Sequence, residues 1–480
     1  MDMEEKYLHS MESIPLCKIV RDEYRAYQIY TLMDRAIPYL QDGLKPGQRR
    51  ILYTLYKNQS KGLMKVSSAT GLVLTLHPHG PASIESAIVN MAQDYTFSNN
   101  YNLIDKKGYF GERMETQPAA SRYIECKLGK VAQILLFDDL EQVDMVPNYD
   151  EKVMEPVSFY PKLPLMLLNG AEGIGTGFSS VIPGFHHKDL VDSIINCVET
   201  GVPKKLRPFY HNYQHKLEIE KSGRIIFPTK IEKIGDKFFI TEVPKGYDAA
   251  KIYRHLNKFI DKGDLKDYID SSVNNEIKIE LIFKRGQEIT LEEIEKTMSV
   301  TSSLVPNYTL ISERGVKIFD NPEDIIKIFT QKRIEVVHRR YVLLAQNYEE
   351  KIKQNNDIIR FIKEKHYHKA TVSANRKSFV EYLTSKKFTF CDYLAYMPIY
   401  RMTKEEVAKR IQMVKEDSKA LIDCTKIFKS PKLVEKKLIE ELVDVKEQLS
   451  QWLVDREKEK NKLLKSLEKG INKKKKGLPQ

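Results

Sequence analysis

Residues 34–53 read DRAIPYLQDGLKPGQRRILY. Pro46 stands where the first turn of a helix tolerates a residue without an N–H, and Ile51, Leu52 and Leu55 give the turns behind it one apolar face. The stretch predicts a helix that opens on its basic residues: Lys45 just before it, Arg49 and Arg50 in its first turns, where cations can approach a phosphate backbone. A second helix is predicted after the turn HPHG (77–80), with Ile84, Ile88, Val89 and Met91 at burial spacing and first-turn amides suited to an anion. Turn-rich extended segments follow at 102–111 and 122–128. Short helices succeeded by such segments predict a helix-turn-helix with a β wing. On this reading residues 1–156 form an N-terminal arm and a winged-helix domain.

Beyond it the pattern changes. Short β-branched and aromatic runs, KFFITEV (237–243) and EIKIELIFK (276–284), alternate with helices, one of them opened by the capping box Thr290-Leu-Glu-Glu293. Residues 157–320 therefore read as an α+β domain. From 321 to 462 long helices dominate. Pro322 opens one, with Val337, Tyr341, Leu344, Tyr348, Ile352, Ile359 and Ile362 recurring at helical spacing, and Leu438, Leu442, Val445, Leu449 and Trp452 mark a heptad seam. The two long helices are expected to pair antiparallel as a coiled coil. A helix capped by Thr403 and carrying Val407, Ile411 and Val414 is expected to form a small helical knot at the far end. Residues 463–480 form a Lys-rich stretch expected to be disordered. The fold class is thus a multidomain α/β mix.

The 480-residue chain carries 78 Lys and Arg against 66 Asp and Glu, a formal excess of +12, with 41% hydrophobic and 30% charged residues. It can bury a sizeable core and is too long for one ordinary domain. Ordinary Gly (22) and Pro (20) content argues against a collagen-like or broadly disordered chain. No apolar run reaches the roughly 18 residues of a bilayer span, and Asp2, Glu4 and Glu5 stand where a secretory signal would be positive. No membrane association and a cytoplasmic location are expected. The cysteines Cys17, Cys126, Cys197, Cys391 and Cys424 lie far apart without a CxxC pair, which fits a reducing compartment. The positive excess suits a polyanionic partner without singling out nucleic acid.

Five segments, DRAIPYLQDGLKPGQRRILY, LHPHGPASIESAIVNMAQDY (76–95), NLIDKKGYFG (102–111), AASRYIECKL (119–128) and LLNGAEGIGTGFSSVIP (167–183), occur in this order. Together they closely resemble the DNA-breaking A subunit of type IIA topoisomerases, as in bacterial gyrase and topoisomerase IV and their phage counterparts. The resemblance is carried by motif over most of residues 20–190 and continues more weakly through the α+β and coiled-coil segments to about residue 455. It implies that Tyr123 is a nucleophile forming a transient 5′-phosphotyrosine link to each strand, so that a second duplex can pass. It also implies that Arg122, His79 and Arg35 assist at the scissile phosphate, and that Ile174 wedges between base pairs and bends the DNA. By the same resemblance the chain forms a homodimer that assembles as A2B2 with a separate B subunit, which hydrolyses ATP and holds Mg²⁺ on acidic residues.

The residues support parts of this independently. Tyr123 is one of 26 tyrosines, most of which pack or face solvent, but Arg122 beside it supplies the positive charge that a phenol with a pKa near 10 needs in order to attack at neutral pH. In-line attack at phosphorus spreads negative charge over non-bridging oxygens, so cations aimed there matter most. His77 and His79 could equally be a polar turn or helix cap. A two-histidine metal site is disfavoured by Pro78 and Gly80-Pro81, which suit a rigid turn, and no metal site is expected in this chain. Without the resemblance Arg35 would read as a surface ion pair. Lys45, Arg49 and Arg50 read as phosphate contacts or as a solvated helix face, and Asn169–Gly177 as a Gly-rich loop lacking both GxGxxG spacing and a Walker lysine.

Departures narrow the expectation. Pro81 and Ala82 follow HPHG where the bacterial pattern continues with an acidic residue and a serine, which puts binding of quinolone-class drugs in doubt. No C-terminal DNA-wrapping pinwheel is expected after the coiled coil. ATP-dependent relaxation and decatenation are therefore expected rather than negative supercoiling, in an architecture resembling viral or phage subunits, acting in the host cytoplasm if viral. The competing readings are a noncatalytic winged-helix architectural DNA-binding protein and a coiled-coil scaffold with an incidental basic surface.

Overall fold

The structure is a computed structural model that describes residues 16–475, apart from 214, 274 and 285–288, with the side chains of 463–475 also outside the description. The chain divides into two compact units, one built from residues up to Thr330 together with those from Leu442 onward, the other from Gln331–Glu441. The domains read from composition on either side of residue 156 thus share one compact unit.

In the first unit the chain is helical from Leu16 to Ala36 and leaves the helix at Ile37 in an extended conformation. Three helices follow: α1 (Pro46–Lys57), α2 (Val66–Val73) and α3 (Pro81–Ala92). Pro46 occupies the first helical position of α1, the Lys45 amide donates to Gln48 Oε1 at 3.0 Å, and Ile51, Leu52 and Leu55 are buried as the apolar spacing requires. In α3 the buried residues are Ile84, Ile88, Val89, Met91 and Ala92. Strands β1 (Met64–Lys65), β2 (Ile104–Lys107) and β3 (Glu125–Leu128) form an antiparallel sheet of order β1-β3-β2, with Asp105 opposite Lys127. Two of them fall within the extended segments expected at 102–111 and 122–128.

The hairpin β4 (Ala171–Ile174) and β5 (Ser179–Ile182) comes next. It is followed by a four-stranded antiparallel sheet built from β6 (Lys230–Ile234), β7 (Lys237–Glu242), β8 (Asp267–Asp270) and β9 (Ile279–Ile282), in the order β6-β7-β9-β8. Helix α4 (Ala249–Lys262) packs Ile252, Leu256 and Phe259 into the core of this layer with Phe238, Ile240, Ile279 and Leu281. The expected capping box is present: Thr290 Oγ1 accepts from the Glu293 amide and Glu293 accepts from the Thr290 amide.

Among the long helices, α5 (Pro322–Lys363) and α6 (Lys404–Phe428) run antiparallel in the second unit, since His338 meets Phe428 while Asn355 accepts from Arg410. This corrects the place given to the Thr403 helix, which is a full arm beside α5 and contributes only its first turns to the knot. The knot itself is a core of Ile358, Phe361, Phe379, Leu383, Phe388, Leu394 and Val407. Chain direction is renewed at Pro431, which opens α7 (Pro431–Lys475), and Arg333 and Arg340 both pair with Glu441 on it. Leu438, Leu442, Val445 and Leu449 are all fully buried. From Leu442 onward α7 belongs to the first unit, where it packs through Lys446–Asp192, Ser450–His187 and Arg456–Asp94. The segment expected to be disordered from 463 is helical as far as Lys475, and residues 476–480 lie outside the described residues. No described helix is long and apolar enough to cross a membrane.

The start of α1 rests on a buried ion pair. Asp42 is fully buried and accepts from Arg49 Nε at 2.6 Å and from a terminal Arg49 nitrogen at 3.2 Å, as well as from the amides of Leu44 and Phe159. Removing one partner strands the other charge in a low-dielectric interior. Asp42→Ala is expected to lower stability by about 3–5 kcal/mol, read as a shift of the urea midpoint. Replacing Asp42 and Arg49 together by apolar residues should cost less than the single change.

Candidate functional site

Tyr123 lies at the end of the β2–β3 loop, two residues before β3 begins, and is 65% exposed. The Arg122 guanidinium carbon sits 4.8 Å from the centre of its ring, the distance of a cation–π contact. Lys65 Nζ donates to the Tyr123 carbonyl at 3.3 Å and pairs with Glu125 at 2.9 Å, which fixes the backbone under the ring. The phenol is therefore presented to solvent beside the Arg122 cation, while Lys65 holds its main chain in register. That is the arrangement a nucleophile attacking an anionic ester needs.

A second group forms where α3 begins. The Arg35 guanidinium lies 3.5 Å from both ring nitrogens of His79, at the outer limit of hydrogen bonding. The His77 and His79 rings meet edge to face at 4.8 Å, and His77 Nδ1 is 3.4 Å from Arg50. Burial, followed by the charges of Arg50, His79 and Arg35, pushes the His77 pKa down to about 4, so the ring is neutral at pH 7 and can accept from Arg50. Arg50 itself forms a two-pronged pair with Glu155 at 2.6 and 2.8 Å. Burial opposes its charge, but the hydrogen bonds to Glu155 and the charges of Glu155, Asp34 and Tyr30 together outweigh it, so its pKa is raised.

Both readings of Arg49, as a phosphate contact and as part of a solvated helix face, are corrected by its burial. It is 6% exposed and its guanidinium is committed to Asp42, so at its place on α1 it looks inward. Lys45, by contrast, points across to the hairpin, where Nζ donates to the Glu172 carbonyl at 2.9 Å. Burial lowers its pKa, against the pull of Glu172.

Ile174 is 87% exposed at the end of β4. The glycines beside it explain why. A Cβ at Gly173 would lie 2.0 Å from the Ala36 carbonyl oxygen and one at Gly175 would lie 2.4 Å from Leu32 Cδ2, so the hairpin presses its glycines on the 32–36 turn. Alternate residues of a strand face opposite ways. Ile174, between the two glycines, is therefore aimed outward. The turn that seats the hairpin is also the one that carries Arg35.

Arg35, His77, His79 and Arg50 thus form one group, Lys45 and Ile174 share the hairpin side, and Tyr123 stands with Arg122 and Lys65. Among the described residues no hydrogen bond or ring contact joins Tyr123 to His79 or Arg35. Sequence reasoning missed Lys65, Glu155 and Asp42. Asp42 lies seven residues before Arg49, inside the motif itself, whereas Glu155 is 105 residues from Arg50 and carried no local signal. Among the described residues no group of three or more His, Cys, Asp or Glu side chains could hold a metal ion, and none of the five cysteines is paired.

Comparison with known proteins gives this geometry a family. The chain is 31% identical over 377 residues to the "DNA topoisomerase 2, mitochondrial" of Dictyostelium discoideum, a match that covers 75% of this chain and 29% of that one. With the DNA topoisomerase 2 of Arabidopsis thaliana it shares 32% over 378 residues, 74% of this chain and 25% of the relative. It therefore spans under a third of the length of these relatives, which are eukaryotic. A crystal structure of the Plasmodium falciparum topoisomerase II DNA-binding, cleavage and re-ligation domain superposes with a TM-score of 0.80 at 27% identity, over 91% of this chain and 65% of that one. The family of the DNA gyrase/topoisomerase IV A subunit matches residues 35–443, and the chain belongs to that family.

Proposed function

We propose that this chain is the DNA breakage and reunion part of a type IIA topoisomerase, an isomerase that changes DNA topology through a reversible double-strand break. The observation that carries the reading is Tyr123, exposed at 65% with Arg122 stacked on its ring and Lys65 under its carbonyl, in a chain of this family. The Tyr123 oxygen attacks a backbone phosphorus as the phenol gives up its proton, and the bond from phosphorus to the 3′ oxygen breaks, with that oxygen taking up a proton. The phosphodiester is exchanged for a phosphotyrosine diester on the 5′ end, so religation runs the same exchange backward and needs no ATP. Two copies place two such tyrosines on opposite strands.

In this reading α1–α3 and the β1-β3-β2 sheet act as a winged-helix DNA-binding unit, and the long helices form an antiparallel coiled coil ending in a dimerisation gate. Arg122, His79 and Arg35 stabilise charge on the scissile phosphate. Lys45, Arg50 and His77 contact the backbone, Arg49 positions α1 through Asp42, and Ile174 opens a base step. ATP hydrolysis and Mg²⁺ binding belong to a separate B subunit. Mg²⁺ held there would supply Lewis-acid stabilisation, and among the described residues of this chain no group of three or more His, Cys, Asp or Glu side chains could hold it. Relaxation and decatenation of cytoplasmic DNA follow as the activity of the assembly.

Tyr123→Phe should abolish protein-linked linear DNA when plasmid cleavage is trapped with denaturant in the presence of Mg²⁺ and the ATPase subunit, while duplex affinity stays at the natural level. An adduct that survives the substitution, or none with the natural chain, would favour a noncatalytic architectural role. Ile174→Ala should reduce DNA bending, followed by energy transfer between end labels, and lower adduct yield about tenfold or more. Lys45→Ala should weaken binding similarly across sequences and reduce the slope of log affinity against log salt by about 1.

A further inference from the structure

The loop between β2 and β3 that ends at Tyr123 is tied down at both its waist and its tip. At the waist the Ala119 amide donates to the Tyr109 carbonyl at 3.0 Å, and Gln93 Nε2 donates to the carbonyls of Phe110 at 3.0 Å and Thr116 at 3.4 Å. Gly111, at φ +87°, makes the turn there, and a Cβ on it would lie 2.5 Å from the Thr116 oxygen. At the tip the loop enters the four-stranded-sheet layer. Met114, 9% exposed, joins the core of Phe238, Val243 and Ile252, and its carbonyl accepts from the Ala249 amide at 3.0 Å.

Arg113 fixes that entry. It is 4% exposed, and its terminal nitrogens donate to the carbonyls of Tyr247 at 2.7 Å, Val243 at 2.8 Å and Pro244 at 3.1 Å. It also stands 3.6 Å from Glu242, and its guanidinium carbon is 5.0 Å from the centre of the Phe97 ring. Residues 242–249, the link from β7 to α4, are thus wrapped around one side chain of the Tyr123 loop. A leucine could join two layers by burial alone, without the desolvation cost of a guanidinium. What Arg adds is direction: a planar fork with several charge-assisted bonds cannot slide without breaking two or three of them.

The same link reaches the other functional element. Lys245 pairs with Glu172 on β4, two residues before Ile174, and the Glu172 carbonyl is the acceptor for Lys45. One eight-residue segment therefore grips the Tyr123 loop along most of its length and, from Lys245 in its middle, the Ile174 hairpin.

We propose that Arg113 is a positioning residue that couples the Ile174 hairpin to Tyr123 through residues 242–249, so that opening of a base step by Ile174 sets the reach of the tyrosine toward the phosphate. The inference rests on the functional reading above. Contiguity alone does not establish coupling, so the test is a double-mutant cycle. The full chain, with Mg²⁺ and its ATPase subunit, is given a short duplex, and noncovalent affinity and denaturant-trapped adduct are measured for Arg113→Leu, Arg113→Lys, Ile174→Ala and the Arg113→Leu/Ile174→Ala pair. Arg113→Leu should lower adduct at saturating DNA by about ten- to a hundredfold with affinity little changed, Arg113→Lys should recover part of the loss, and the double change should be no worse than the lower single one. Lys245→Ala, which removes the contact of the link with Glu172 and leaves Arg113 in place, provides the same cycle if Arg113→Leu does not fold. Adduct that stays at the natural level in both Arg113→Leu and Lys245→Ala, or losses that multiply with that of Ile174→Ala, would overturn the coupling alone. No adduct from the natural chain would remove the functional reading and this inference with it.

Discussion

The Asp42 carboxylate is the constraint from which the site is built. It accepts four hydrogen bonds in a fully buried place, two from Arg49 and one each from the amides of Leu44 and Phe159. Through them it holds the first turns of α1 against the chain at Phe159. Gly43, at φ +72°, lets the same segment press against Leu165 and Met166, because a Cβ there would lie 2.5 Å from the Met166 amide nitrogen. With α1 anchored, Lys45 is aimed at the hairpin and Arg50 at Glu155. A buried charge without that full set of partners would cost several kcal/mol, so the geometry of the basic face and the stability of the unit have one origin.

The cations of the site are handled in different ways. Arg49 is neutralised inside, Arg50 is paired at the edge of solvent, and Lys45 is partly desolvated against a carbonyl. Arg122 faces solvent over the tyrosine ring, and His77 is kept neutral by burial and by the arginines around it. A polyanion approaching this surface meets charge that is oriented in advance, which is what makes electrostatic stabilisation effective. Membership of the family of gyrase and topoisomerase IV A subunits, together with the Plasmodium cleavage-domain structure, gives that surface a biological setting.

Much of the architecture was legible in the sequence where local rules act. Pro46, the Thr290–Glu293 capping box, the apolar positions of α3 and the seam from Leu438 to Leu449 all mark elements through interactions a few residues long. The Thr403 helix was legible as a helix but misplaced, because which long helix lies beside α5 is decided by distant pairs such as Asn355 with Arg410. The candidate site divides in the same way. Tyr123 and Arg122 are neighbours in the chain, and their contact was readable from that. The inward turn of Arg49 was not, since a basic residue on a helix reads the same whether it faces solvent or a buried aspartate.

By itself the sequence determined where helices begin, which residues are apolar enough to bury, and which motifs stand in the order of this family, because capping, periodicity and motif spacing are properties of neighbouring residues. Only the tertiary structure decided which cations face solvent and which turn inward, why Gly173 and Gly175 must flank Ile174, and that Arg113 joins the Tyr123 loop to residues 242–249. Apart from Asp42, seven residues from Arg49, the partners involved lie more than a hundred residues away along the chain. Partners at that separation are brought together by the burial of the whole unit and leave no periodic trace in the sequence.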